Sequence, residues 1–250
     1  MESLGTVDKA VDVLFALHGA GGALGVTALA RSLGWPKSST HRLLATLARR
    51  GLVERSEGGR YRPGVGLLAL GLGVRDRDPL CAAARPVLEA AAGELGETVF
   101  LVDARGGRLR VLDEVEGRGF LRAAPRVGEV VPAHATAVGK LFLAFAPDRL
   151  ADAPDAGERF TAHTPRSRRA LARAVDEARS RGFAENRDEW IDGRSALAAP
   201  VFARGELRGA LALAASSPRF AELGARVRRC IVGAADRVGA RLEGRDVEVA

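Results

Sequence analysis

Apolar residues recur at three- and four-residue intervals through the first fifty positions, and then the period changes. Val7, Ala10, Val11, Leu14 and Leu17 predict an amphipathic first helix, with Leu4 just before it. The run Gly19-Ala20-Gly21-Gly22 is too glycine-rich to stay helical and should end it. Thr27 is the expected N-cap of a second helix reaching Leu33, with Leu29, Ala30 and Leu33 on its apolar side. Gly34 suits the C-cap, where a left-handed backbone is needed. Pro36 suits the first turn of a third helix, because its missing N–H costs nothing there. That helix runs to about Arg50, with Leu43, Leu44 and Leu47 as its core stripe, and Gly51 ends it.

Two short helices joined by a tight glycine turn make a helix-turn-helix, whose second helix reads DNA. Its first turn, Lys37-Ser38-Ser39-Thr40-His41-Arg42, is polar throughout. Residues at that end of a recognition helix meet the major groove. Hydroxyls and backbone N–H groups there bind phosphates, and Arg42 can donate two hydrogen bonds to a guanine edge. One of the three hydroxyl residues is also expected to cap the helix. Leu52-Val53-Glu54-Arg55 then alternates like a strand, Ser56-Glu57-Gly58-Gly59 is a turn, and Arg60-Tyr61-Arg62 alternates back. This hairpin reads as a wing, with Arg60 and Arg62 on one face and Tyr61 turned inward. The expected DNA contacts are therefore Thr27, Lys37, Ser38, Ser39, Thr40, His41, Arg42, Arg49, Arg60 and Arg62.

Residues 1–64 form this winged helix-turn-helix, and residues 65–78 a linker. Leu67, Leu68, Leu70 and Leu72 make the linker apolar, but Gly66, Gly71 and Gly73 cost about 1 kcal/mol each relative to alanine in a helix. A helix here needs a packing partner. The remainder, 79–250, mixes periods. Helices are expected over Arg85–Leu95, His134–Ala146 and Ser167–Arg181, and a long final one is marked by Leu223, Val227, Ile231, Val238 and Leu242. Strands are expected over Thr98–Val102 and Leu109–Val115 around Arg105-Gly106-Gly107. A second pair, Ala196–Phe202 and Leu207–Ala215, turns at Arg204-Gly205-Glu206. Hairpin-paired strands with helices on one side describe an α+β domain with an antiparallel sheet.

Composition narrows the function. The longest apolar runs, Leu67–Val74 and Leu141–Ala146, are far too short to cross a bilayer. No basic segment followed by an apolar stretch opens the chain, so the default location is cytoplasmic, with no membrane partner. Cys81 and Cys230 are far apart and read as small buried residues, and the four histidines show no ligand spacing, so no metal or other cofactor is expected. Net charge is +7, and residues 1–77 hold 11 Lys and Arg against 6 Asp and Glu, a net of +5. Within 37–62 there are seven basic residues and two acidic ones. That pattern fits either a polyanion binder or a solvated basic face. A winged helix used for protein contact is a further reading, which the polar recognition turn disfavours.

An enzyme is the rival class. His134, Asp103 and several serines could be assembled into a triad on paper, but no Gly-x-Ser-x-Gly elbow is present. Gly139-Lys140 is not a phosphate loop, since His134 stands where the first glycine belongs and Leu141 where Ser or Thr should hold magnesium. No catalytic residue is assigned, and His134 reads better as a helix cap or a core residue.

Taken together, these segments resemble the IclR family of bacterial transcriptional regulators. The resemblance rests on Leu33-Gly34-Trp35-Pro36-Lys37-Ser38-Ser39, His41-Arg42-Leu43-Leu44 and Arg60-Tyr61-Arg62-Pro63-Gly64 in the first third. It continues in Pro132-Ala133-His134-Ala135-Thr136-Ala137-Val138-Gly139-Lys140, then Arg181-Gly182-Phe183 through Asp188-Glu189, Gly193 and Ala198-Ala199-Pro200-Val201. It implies a GAF/profilin-like C-terminal domain whose pocket binds a small-molecule effector. Carried over by position, the pocket candidates are Ala137, Val138, Asn186, Arg194, Ala196, Ala212 and Ala214. The family often has cysteine where Ala196 stands, serines where Ala212 and Ala214 stand, and a small apolar residue in place of Arg194. An organic acid with a bulky apolar or aromatic body is the effector those departures suggest, with Arg194 either meeting its carboxylate or facing solvent from its loop. Trp190 is a lid or a surface residue. The resemblance also implies a homodimer or tetramer, helped by the linker, on a pseudo-palindromic operator in double-stranded DNA.

Overall fold

In the first third, loop glycines and a proline set the element boundaries. The computed structural model describes residues 5–118, 125–151 and 158–244; Leu4 and the two extreme chain ends of the expected domains lie outside the described residues. Helix α1 spans Thr6–Gly19, α2 spans Val26–Leu33 and α3 spans Lys37–Arg49. Gly34 ends α2 at φ 69°, and the Trp35 N–H reaches back to the Ala30 carbonyl at 2.9 Å. Strands β1 (Val53–Arg55) and β2 (Tyr61–Pro63) form the expected hairpin, pairing Glu54 with Arg62. Tyr61 also bridges Leu24. Helix α4, Val65–Arg77, follows. Its start lies flush on the end of the recognition segment: the Gly66 N–H donates to the Gly51 carbonyl at 2.9 Å, and a Cβ on Gly64 would collide with that same carbonyl.

The structure departs from the sequence pattern at three places in this unit. The inward face of α1 carries Val13 and Leu17, with Ala10 and Leu14 half-buried, whereas Val7 and Val11 are exposed. The helix has two apolar stripes, and Val7, Val11 and Phe15 form the outer one. Thr27 does not cap α2; Gly25 does, and Thr27 stands exposed inside the first turn. Pro36 is the N-cap of α3 rather than its first turn, and no side chain caps that helix, so Ser38 and Ser39 keep their hydroxyls for other uses.

Two compact units divide the chain, Met1–Val74 and Arg75–Ala250, and α4 runs across that boundary. The second unit contains α5 (Pro79–Leu95), β3 (Thr98–Arg105), β4 (Arg108–Val115), α6 (Ala137–Phe145), α7 (Arg168–Arg181), β5 (Ala184–Arg187), β6 (Arg194–Ala203), β7 (Glu206–Ser216), α8 (Ser217–Leu223) and α9 (Ala225–Leu242). Asp78 caps α5, accepting from the N–H groups of Leu80 and Cys81, so this helix starts well before the expected Arg85. The five strands pair antiparallel in the order β4-β3-β7-β6-β5.

Helices cover both faces of this sheet, not one side as the pattern suggested. Leu197, Ala199, Leu211 and Leu213 pack with α5 and α9, while Ala198, Ala212, Phe100 and Val102 pack with α6. Both faces are apolar because β7 is an unbroken apolar run from Gly209 to Ala215, the signature of a strand buried on each side. Cys81 and Cys230 are buried and free in this core. Burial first, then the nearby Asp78 and Asp113 carboxylates, pushes the Cys81 thiol up to about 12. Burial and a hydrogen bond to Glu94 do the same for Cys230, also to about 12.

Helix α6 sits close against its own lead-in. Thr136 caps it, accepting from the Gly139 N–H at 3.1 Å and donating to the Pro132 carbonyl at 2.7 Å. A Cβ on Gly139 would collide with the Ala133 carbonyl, so only glycine fits. Gly139→Ala should therefore lower stability by about 1–3 kcal/mol, the usual cost of overpacking. Urea unfolding checks this through a lower midpoint at unchanged slope.

Candidate DNA-reading surface and effector cleft

The exposed face of α3 carries Lys37, Ser38, His41, Arg42 and Arg49, with Ser39 half-buried beside them. Thr46 belongs to the same face and was not anticipated, although the helical spacing 38–42–46–49 marks it. Its hydroxyl accepts from Arg49 at 3.3 Å. Thr40 departs from expectation: it is fully buried, and its hydroxyl donates to the Pro36 carbonyl at 3.2 Å. The reason is helical phase, because Thr40, Leu44 and Leu47 form one inward stripe. On the wing, Arg60 and Arg62 are exposed and Tyr61 is buried. Arg62 pairs with Glu54 at 3.1 Å, and the other oxygen of Glu54 accepts from the Val65 N–H at 3.0 Å. Those two contacts, the backbone one first, hold the Glu54 carboxyl below its usual range. Arg42 and Arg60 thus present cations on the helix and on the wing.

In the second unit, one cleft is lined mainly by apolar side chains with a few polar ones among them, the usual make-up of a small-molecule site. All seven sequence candidates line it. Strand register explains how. Asn186, Ala196 and Ala214 lie side by side across β5, β6 and β7, and Ala198, Ala212 and Phe100 form the neighbouring row. Arg194 falls on the same face by two-residue alternation. It is the half-buried first residue of β6, not a loop residue, and is the only charged side chain lining the cleft among the described residues. Ala137 and Val138 supply the opposite wall from α6.

Asn186 lies in a strand that the pattern did not announce. Its amide donates to the Ala135 carbonyl at 2.9 Å and accepts from the Glu189 N–H at 2.9 Å, which ties the α6 lead-in to the segment carrying Trp190. Trp190 and Ile191 line the cleft as well. Trp190 is half-buried and packs against the core on the cleft face, so it is not a plain surface residue. Phe100, Val131 and Thr136 line it too: Phe100 is on a sheet whose two faces are both apolar, so alternation gives no signal, and Val131 and Thr136 lie in the irregular lead-in to α6. His134 is a core residue: it is buried, lies 2.8 Å from the Glu158 carbonyl and stacks on Phe160.

Comparison with known proteins decides what these two parts are. Residues 6–57 match the IclR helix-turn-helix domain, and residues 73–239 match the bacterial transcriptional regulator IclR C-terminal domain. The chain belongs to the IclR family. Its IclR relatives include the probable transcriptional regulator SauR of Cupriavidus necator, 32% identical over 216 residues and covering 84% of each chain. The glycerol operon regulatory protein of Streptomyces coelicolor is 30% identical over 245 residues, covering 94% of this chain and 96% of that one. The crystal structure of Thermotoga maritima IclR superposes with a TM-score of 0.79 at 25% identity, covering 95% and 98% of the two chains. This IclR protein is accordingly a DNA-binding transcriptional regulator with an effector-binding domain, and not an enzyme. No helix among the described residues is long and apolar enough to cross a membrane.

Proposed function

We propose that this regulator is controlled by an organic acid with an apolar or aromatic body. The observation that carries this reading is the cleft lining: mostly apolar side chains, the neutral polar Thr136, Asn186 and Ser195, and Arg194 as the one charged group among the described residues. A guanidinium binds a carboxylate bidentately, and the alanine floor of Ala196, Ala212 and Ala214 offers an apolar face for a ring. An IclR homolog from Microbacterium hydrocarbonoxydans, 21% identical with a TM-score of 0.79, was solved in complex with 4-hydroxybenzoate. That ligand, a ring bearing one carboxylate, is the first probe to use here. Calorimetry with 4-hydroxybenzoate, benzoate and aliphatic acids tests the reading; saturable binding by at least one acid supports it, and none by any acid of the panel rejects it.

The DNA-reading residues in this account are Lys37, Ser38, Ser39, His41, Arg42 and Arg49 on α3, with Arg60 and Arg62 on the wing. Thr27, exposed in the first turn of α2, contacts the backbone. Residues 1–64 read DNA, 65–78 transmit and 79–250 sense. A homodimer places two recognition helices on two half-sites of a pseudo-palindrome, and a tetramer pairs such dimers. The exposed Val7, Val11 and Phe15 of α1, and Val65, Leu68, Leu70, Leu72 and Val74 of α4, supply apolar surface for association. The effector changes DNA binding through its different affinity for two placements of the helices. Such a protein works on DNA in the cytoplasm.

A further inference from the structure

Lys140 is a buried cation that the effector reading leaves unused. It lies on α6 two residues beyond the cleft-lining Ala137 and Val138, at 5% exposure. Its ammonium donates to the Glu185 carbonyl at 2.8 Å and to Glu189 Oε1 at 2.6 Å. Glu189 immediately precedes Trp190 and Ile191, the two residues that close one side of the cleft. Its second oxygen, Oε2, is buried with no hydrogen-bond partner among the described residues. A buried ion pair with one oxygen unsatisfied is a poor source of stability, and an apolar pair of similar volume usually serves as well or better. What such a pair does supply is a fixed geometry.

The backbone beside it is over-determined in the same way. The Glu189 N–H donates to Asn186 Oδ1 at 2.9 Å, and its carbonyl accepts from Thr164 Oγ1 at 2.6 Å. The Asp188 carbonyl accepts from Thr161 Oγ1 at 2.6 Å, and Asp188 Oδ1 accepts from Ser217 Oγ at 2.7 Å. Asp188 is held at φ 58°, a left-handed backbone that a non-glycine residue keeps only when its surroundings impose it. Side chains from β5, from the 161–164 segment and from the start of α8 therefore converge on two residues next to Trp190. Lys140 connects that segment by charge to the helix forming the opposite wall.

We propose that Lys140 and Glu189 form a clasp that positions Trp190 and Ile191 as a fixed wall of the effector cleft. The cleft is preorganised, so an effector does not have to order that wall on binding. The assignment rests on reading the cleft as the effector site, but the decisive test needs no effector. Trp35 and Trp190 are the two tryptophans, so a Trp35→Phe background leaves Trp190 as the sole reporter.

In that background, acrylamide quenching of Trp190 should rise at least twofold in Lys140→Met/Glu189→Leu. Circular dichroism and the melting temperature should stay within a few degrees of the parent. A pair that only ties the fold together would move the melting temperature and leave quenching of the folded state alone. Glu189→Gln, which keeps shape but removes charge, should give a smaller rise and serves if the double variant fails to fold. Unchanged quenching in the folded variants overturns the clasp. In parallel, 4-hydroxybenzoate titration should show about a tenfold weaker affinity in the double variant. If the parent does not bind that probe, its use as an effector fails while the quenching result still decides the clasp.

Discussion

Arg42→Ala should weaken sequence-specific DNA binding strongly while leaving the weak, salt-sensitive binding to random DNA in place. A bidentate arginine–guanine contact contributes about 1–3 kcal/mol of discrimination. A dimer loses it twice, so specific affinity should fall by roughly 30-fold to 10⁴-fold. Arg42 is exposed on the first turns of α3, beside Lys37, Ser38 and His41. Nothing in the protein core depends on it, so the melting temperature should hold. Arg60→Ala makes the contrast. A wing cation on a phosphate weakens binding to all sequences alike, and the slope of log affinity against log salt becomes shallower by about 1 per half-site. Equal losses on specific and random DNA for Arg42→Ala would move it from base reading to phosphate contact.

Arg194→Ala should lower the affinity for a carboxylate effector by roughly 30- to 1000-fold, the loss of about 2–4 kcal/mol from a partly buried charge-assisted pair. Arg194 sits at the start of β6 on the cleft face, so a carboxylate meeting it keeps its ring over Ala196 and Ala214. The control is a neutral ligand of the same shape, benzyl alcohol against benzoate. The mutation should change only the acid, which isolates the pairwise interaction. Equal effects on both would show that Arg194 shapes the cleft without holding the charge.

Much of this was legible in the chain because local signals agreed. Gly34-Trp35-Pro36 marks one helix end and the next helix start within three residues, and the positive φ at Gly34 is what that turn requires. The hairpin turns at Gly106-Gly107 and Arg204-Gly205 were equally plain. Elsewhere, residue type misled where spacing was informative. Thr40 is polar, yet it lies at the i, i+4, i+7 positions of the buried Leu44 and Leu47. Strand β5, Ala184-Glu185-Asn186-Arg187, is short, polar and at the sheet edge, and asparagine is depleted in strands.

The cleft itself was legible only through family resemblance. The spacing of Ala137, Asn186, Ala196 and Ala214 in the chain says nothing about their meeting; strand register brings them together. The anchors Thr161, Thr164 and Ser217 stand 25 to 29 residues from the backbone or carboxylate they hold, with no motif to announce them.

The most direct test is to enrich genomic fragments of the source organism with the purified full chain and titrate the winning fragment against salt. The expected result is a site with two related half-sites. Its affinity should fall by roughly 10³- to 10⁵-fold between 50 and 200 mM salt, as expected for six to ten phosphate contacts. No enrichment at 50 mM salt, with and without 4-hydroxybenzoate, or binding indifferent to salt, would contradict it.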